Sequence, residues 1–202
     1  MAETAFLAGK YGVEDFAFYD DALLYDPDDR LFPLLDAFIH LPNPIRLHAP
    51  NGLHLRYLNN CLALKMKTAG FTTLRFGYES GAALHAGDTS GKGSREEART
   101  GIACLFNAGF KGSGIGIYVM AGLPNQLPGQ VLEEIDFLLS LGVKPKPVWF
   151  SPVPGTRLFD HYAHKFPHLK TDPLWHNDVF FITQLPGWSW DAVEKVRERA
   201  MG

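Results

Sequence analysis

Apolar residues recur along this chain in two alternating patterns. Five short runs rich in β-branched and aromatic side chains have the length of buried strands: Asp15–Tyr19 (DFAFY), Ile45–Ala49 (IRLHA), Thr73–Tyr78 (TLRFGY), Ile115–Met120 and Lys146–Ser151 (KPVWFS). The segments between them carry apolar stripes at three- and four-residue spacing, which predicts helices. Leu31, Leu34, Leu35 and Phe38 form one stripe, stopped by Pro42 and Pro44. Leu55, Leu58, Leu62, Met66 and Ala69 form another, in a long helix from about Leu53 to Gly70. Ser94 with Glu97 is a capping box opening a helix through Ala98, Ile102 and Leu105 to a stop at Gly109. Val131, Leu132, Ile135, Leu138 and Leu139 mark a helix ending at Gly142. A short amphipathic helix covers Leu158 to Phe166, and Ser189 caps a last one from Trp190 to Met201. Residues 1 to 12 read as the tail of a helix, with Phe6, Leu7 and Tyr11 on one side and Gly12 as its stop.

The repeat is strand, loop, helix on a pitch of roughly 30 to 40 residues, the βαβ spacing. Apolar strands between amphipathic helices predict an α/β fold with a parallel sheet covered by helices. Five units in 202 residues are too few to close an eightfold barrel, which takes about 250 residues. The sheet is therefore an open arc or part of something larger.

In a parallel sheet the loops at the carboxyl ends of the strands build the site. Those ends carry Asp20-Asp21, His48 with Asn51-Gly52, Glu79-Ser80, Gly122-Leu123-Pro124 with Gln126, and Ser151-Pro152 with Pro154-Gly155-Thr156. One ligand lying across the rim accounts for all of them. The loop after the fourth strand packs Gly122, Pro124, Pro128 and Gly129 into eight residues, so its backbone can approach a flat ligand closely. Asp20-Asp21 suits a metal, an ammonium or a ribose, and equally the cap of a turn. Glu79-Ser80 suits vicinal hydroxyls: a carboxylate accepts from two and a serine donates. His48 reads as a hydrogen-bonding rim residue, and Lys92 as a loop cation able to meet a carboxylate.

Composition narrows the classes. At 46% hydrophobic, 20% charged and a net charge of −3, the chain shows no basic stripe for nucleic acid. No apolar stretch reaches spanning length and the start lacks a signal-peptide core, so a soluble cytoplasmic protein is expected. Two cysteines, Cys61 and Cys104, fall in helical patterns and are expected as small buried hydrophobes.

FYDDALL (Phe18 to Leu24), HAPNGLHLR (His48 to Arg56), AGFTTLRFGYES (Ala69 to Ser80), IYVMAGLP (Ile117 to Pro124), FSPVPGT (Phe150 to Thr156) and DPLWHND (Asp172 to Asp178) follow one another in an order that resembles radical S-adenosylmethionine proteins. The resemblance is to the branch whose members often carry an upstream cobalamin-binding domain. It spans nearly the whole chain. It implies a partial (βα) barrel of the TIM type, with strands two to six of six in residues 1–166 and a carboxyl-terminal extension in 167–202. The family's first strand is followed by a C-x₃-C-x₂-C loop holding a [4Fe–4S] cluster, and neither cysteine here has that spacing.

The resemblance assigns Tyr19, Asp20 and Asp21 to the methionyl amino group, Glu79 and Ser80 to the ribose, and Lys92 to the methionyl carboxylate. It gives Met120, Gly122 and Leu123, with Ser151 and Val153, to the adenine. It implies S-adenosylmethionine and a [4Fe–4S] cluster in the full-length protein, cobalamin through an upstream domain, and a small substrate whose hydrogen a 5′-deoxyadenosyl radical abstracts. This chain alone is expected to hold no cluster, to be inert, and to self-associate through the edge of its first strand. Two other readings remain. One is a metal-dependent lyase or aldolase using Asp20, Asp21, Glu79 and His48. The other is a binding module docking through the aromatic-rich stretch from Trp175 to Trp190.

Overall fold

A computed structural model describes residues 2–20, 22–78, 93–177 and 179–202. Five strands, β1 (Asp15–Ala17), β2 (Arg46–His54), β3 (Phe71–Tyr78), β4 (Ile115–Ala121) and β5 (Lys144–Trp149), form one sheet in sequential order. All four pairings are parallel. Crossovers in parallel sheets are right-handed. A sheet whose strands run in chain order therefore places every crossover helix on the same face. The helices α2 (Leu31–Ile39), α3 (Asn60–Thr68), α4 (Arg95–Asn107) and α5 (Pro128–Ser140) do lie side by side there. The product is an open arc of α/β architecture with one covered face and one bare face.

Alternation along β4 shows the two faces. Ile115, Ile117, Val119 and Ala121 are buried under α4 and α5, while Tyr118 and Met120 on the bare side are half-buried. The carboxyl-terminal segment joins the same core. Leu169, Val179, Phe181, Ile182, Leu185 and Trp188 pack into it together with Val193 and Val196 of the last helix, α7 (Trp190–Met201).

Several boundaries differ from the sequence reading. β2 does not end at Ala49: it continues to His54, and a single turn of 3-10 helix follows over Leu55–Tyr57. The expected long helix from Leu53 is thus a strand end, a turn and the shorter α3, which Asn59 caps through Leu62 N–H at 2.9 Å. Cys61 therefore stands in the exposed first turn of α3, against expectation, while Cys104 is buried in α4. Ala49 faces Leu74 and Leu53 faces Phe76, so Pro50-Asn51-Gly52 lies in an irregular bulge of the strand. β5 begins at Lys144, two residues early. Helix α1 (Ala2–Tyr11) buries none of its residues, and its Phe6 and Tyr11 stand exposed.

The two edges of the sheet are unlike. On β1 the even residues bond β2, as Phe18 N–H donates to His48 O at 2.8 Å and Arg46 N–H to Glu14 O at 2.7 Å. The N–H and C=O groups of Asp15 and Ala17 point outward. On β5, Phe150 N–H donates to Ala121 O at 2.8 Å, so Pro145 and Pro147 place their nitrogens on the outer edge, where no ladder donor is needed. One edge can pair with another strand and the other is blunted. Light scattering on the purified chain should therefore show concentration-dependent self-association. An Ala17→Pro change on the open edge should reduce it, whereas a strictly monomeric parent chain would contradict this use of the edge.

Candidate functional site

The parallel order sets every strand's carboxyl end on one rim, four strand spacings of about 4.8 Å across, or about 19 Å in all. Among the expected site residues, Tyr19, Asp20, Met120, Gly122, Leu123, Ser151 and Val153 lie along that rim, after β1, at and after β4, and after β5. Asp21, Glu79, Ser80 and Lys92 fall outside the described residues.

At the β1 end, Tyr19 is exposed, and its carbonyl accepts from Asn51 Nδ2 at 3.0 Å. The β2 bulge thus holds the tip of β1. Asp20 Oδ1 accepts from Ala22 N–H at 2.8 Å, the turn-capping role that its sequence also suited. Its second oxygen pairs with Arg30 Nη2 at 3.6 Å on the surface.

The loop after β4 is built around Gln126, which is only 3% exposed. Its Oε1 accepts from Gly122 N–H at 2.8 Å and Leu123 N–H at 3.1 Å, and its Nε2 donates to Met120 O at 3.1 Å. Trp188 Nε1–H donates to Gln126 O at 2.8 Å, so the carboxyl-terminal segment locks the clamp from outside. Two donors of the expected adenine-contacting backbone are therefore spent. Among the described residues, Met120 O still has a lone pair to offer, and the loop's carbonyl oxygens can accept. Adenine's exocyclic amine is a donor and matches such acceptors.

At the β5 end, Ser151 Oγ lies 3.1 Å from His176 Nδ1, and His176 Nε2 lies 3.0 Å from Leu169 O. A carbonyl only accepts, so Nε2 carries the proton and Nδ1 accepts from the serine. His176 stacks on Phe159, with centroids 6.0 Å apart. The Ser151 hydroxyl is thus engaged within the fold, and Val153 O accepts from Thr156, the cap of helix α6 (Arg157–Lys165). The role of His176 was not legible, because its partners lie 7 and 25 residues away.

His48 is not a rim residue. It is the third residue of β2, level with Ala17, with Nε2 2.9 Å from Asp15 Oδ1. Asp15 also accepts two bonds from Arg46, at 2.6 and 2.7 Å, and these with His48 hold its carboxyl well below the usual carboxylate range. The strand's extension to His54 is what carries the rim past His48. Among the described residues, no three of His, Cys, Asp and Glu gather as a metal site. The aromatic stretch from Trp175 to Trp190 is divided: Phe181 and Trp188 are buried, Trp175 is half-buried, and Phe180 and Trp190 are exposed.

The described ends of the 79–92 segment are pinned by a buried carboxylate. Glu134 on α5 is 4% exposed and accepts from Tyr78 Oη–H at 2.7 Å. It also accepts from Arg95 Nε at 3.2 Å and Nη2 at 3.1 Å. Tyr78 ends β3 and Arg95 begins α4, so one carboxylate fastens the approach and the exit of the loop expected to meet the ribose. Burial first, and then the Glu134 carboxylate, push the Tyr78 hydroxyl well above the ordinary tyrosine range. The signal in the sequence was a carboxylate three residues after Val131, on the buried stripe of α5.

An open arc of five parallel strands in chain order has the form of a partial barrel of the TIM type. The chain is similar to the radical S-adenosylmethionine methyltransferase TsrM from Kitasatospora setae, with cobalamin and a [4Fe–4S] cluster bound, at TM-score 0.60 and 17% identity, over 73% of this chain and 29% of TsrM. The same enzyme with tryptophan substrate and the analogue aza-SAM bound gives TM-score 0.59 and 17% identity, over 73% and 28%. Coproporphyrinogen III oxidase (HemN) from Escherichia coli, a radical SAM enzyme, stands at TM-score 0.48 and 12% identity, over 68% and 36%. No family model matches the chain, and no curated protein matches it in sequence. The likeness is one of fold, and the chain spans less than a third of TsrM's length. Among the described residues, no helix is long and apolar enough to cross a membrane.

Proposed function

We propose that this chain is the S-adenosylmethionine-holding arc of a radical S-adenosylmethionine enzyme of the cobalamin-associated branch. The observation that carries the reading is the rim itself, where five parallel strand ends in chain order include a glycine loop whose open backbone groups are acceptors. In this reading the methionyl amino group lies at Tyr19, Asp20 and Asp21, the ribose at Glu79 and Ser80, and the carboxylate at Lys92. The adenine lies against Met120 to Leu123 and Ser151 to Val153. Bound together with a cluster, S-adenosylmethionine supplies the radical chemistry. The residues of this chain bind it, orient it and keep water from it.

The [4Fe–4S] cluster does not fit the cysteines present. Cys61 and Cys104 sit on α3 and α4 in the outer helical layer, not at the rim, and a cluster is held by thiolates at close spacing. No step through a cluster is assigned to these residues, and the chain alone is expected to be inert. Titrating S-adenosylmethionine into the ¹⁵N-labelled chain should shift the amides of Ala121 to Leu123 and of Ser151 and Val153 saturably. Anaerobic reconstitution should leave no stoichiometric cluster iron and sulfide. Saturable shifts confined to other strands, or none, would overturn the rim as the binding site. A stoichiometric [4Fe–4S] cluster would overturn the inert reading.

A further inference from the structure

The bare face of the sheet below the rim is polar, unlike the apolar layers that fill a closed barrel. Register places Arg75, Gly116 and Lys144 in one cross-sheet row, and Gly77, Tyr118 and Lys146 in the next. Arg75 is half-buried and lies flat across Gly116: a Cβ there would meet its Cδ at 2.7 Å and its Nε and Nη1 at 3.0 Å. Glycine at 116 is what lets the arginine side chain lie across β4.

Arg75 Nη1 donates to Leu74 O at 3.0 Å and Gly114 O at 3.2 Å, which fixes the group. Of the five donors of an arginine, the three on Nε and Nη2 have no partner among the described residues. Neither Lys144 nor Lys146 has a carboxylate partner there. Both lysines also border a groove of about 620 Å³ between β5 and α7, whose acid, Glu194, is already paired with Arg197 at 2.7 Å. A half-buried guanidinium with three unspent donors, in neighbouring cross-sheet rows with two lysines that have no carboxylate partner among the described residues, is an incomplete electrostatic arrangement, and an anion completes it.

We propose that Arg75, Lys144 and Lys146 bind an oxyanion of the substrate, a carboxylate or a phosphate. Arg75 lies three residues before the end of β3, about 10 Å below the rim. The substrate is therefore a molecule with an anionic end deep on the bare face and its reacting carbon about that far above, under the cofactor. Calling this molecule a substrate rests on the radical S-adenosylmethionine reading, whereas the anion site itself does not.

The test is a titration of the full ¹⁵N-labelled chain with inorganic phosphate and, separately, with acetate, at constant ionic strength held by potassium chloride. The Gly116 amide, beneath Arg75, is the reporter. A saturable shift is expected, weakened about tenfold or more by Arg75→Gln and by the double change Lys144→Ala with Lys146→Ala, and unchanged by Lys10→Ala on α1. Saturation with phosphate alone assigns a phosphate group, and saturation with both anions assigns a carboxylate-tolerant site. The lysine pair, Lys144 exposed and Lys146 half-buried on the edge strand, keeps the test valid if Arg75→Gln does not fold. Shifts that are linear, or equal in all variants, would overturn the site. The Leu123 amide, followed with S-adenosylmethionine in the same samples, reports the rim independently, so failure of one reading is distinct from failure of the other.

Discussion

Replacing Glu134 by alanine is expected to lower the unfolding free energy by about 3 kcal/mol, measured by urea denaturation. The carboxylate is 4% exposed and accepts three hydrogen bonds, one from Tyr78 and two from Arg95. Without it the buried Tyr78 hydroxyl has no acceptor, and the half-exposed Arg95 loses its only carboxylate among the described residues. The loss exceeds that of an ordinary surface pair, whose worth is about 0 to 1 kcal/mol, because the acceptor lies inside the core. Glu134→Gln keeps one acceptor oxygen and should cost about half as much.

The same network gives a pH dependence. The folded state raises the Tyr78 pKa above its unfolded value, so its contribution is complete below about pH 10 and is lost as pH rises through the higher folded value. Tyr78→Phe should flatten this alkaline loss without abolishing it, since burial raises Tyr162 as well. An alkaline profile identical in wild type and Tyr78→Phe would refute the assignment.

How much of this was legible in the sequence depends on the range of each signal. The five strands, their parallel sense and the Ser94–Glu97 box are local or periodic features, and the structure contains each of them. Pro50-Asn51-Gly52 read as a loop because turn residues cluster there, yet Leu53 with Leu55 continues the alternation of a strand. The bulge reconciles the two, and it is what moves His48 off the rim. Pro145 and Pro147 hid the start of β5, since a proline is tolerated on an edge whose neighbour cannot be seen in one dimension. The clamps were least visible. Gln126 stood out as a rim residue, but its bonds run back into its own loop, and its lock, Trp188, lies 62 residues on.

That lock makes Gly122 the most sensitive position of the rim. Gly122 has φ of 87°, and a Cβ on it would stand 2.6 Å from Cδ1 and Cγ1 of Ile182, which is fully buried. Gly122→Ala combines left-handed backbone strain with overpacking, and is expected to cost about 2–4 kcal/mol. It should also weaken S-adenosylmethionine binding, because the displaced loop carries the Met120 and Gly122 carbonyls that the adenine would use. The two effects separate in a double-mutant cycle. Ile182→Ala alone leaves a cavity and should itself cost about 2–4 kcal/mol. Made together with Gly122→Ala, it leaves room for the added methyl, so the pair should be less destabilised than the sum by about 1 kcal/mol or more. The backbone strain stays in the double variant, so binding should recover only in part. Strict additivity in urea would mean that Ile182 does not press on Gly122, and the carboxyl-terminal segment would then be no support for the rim.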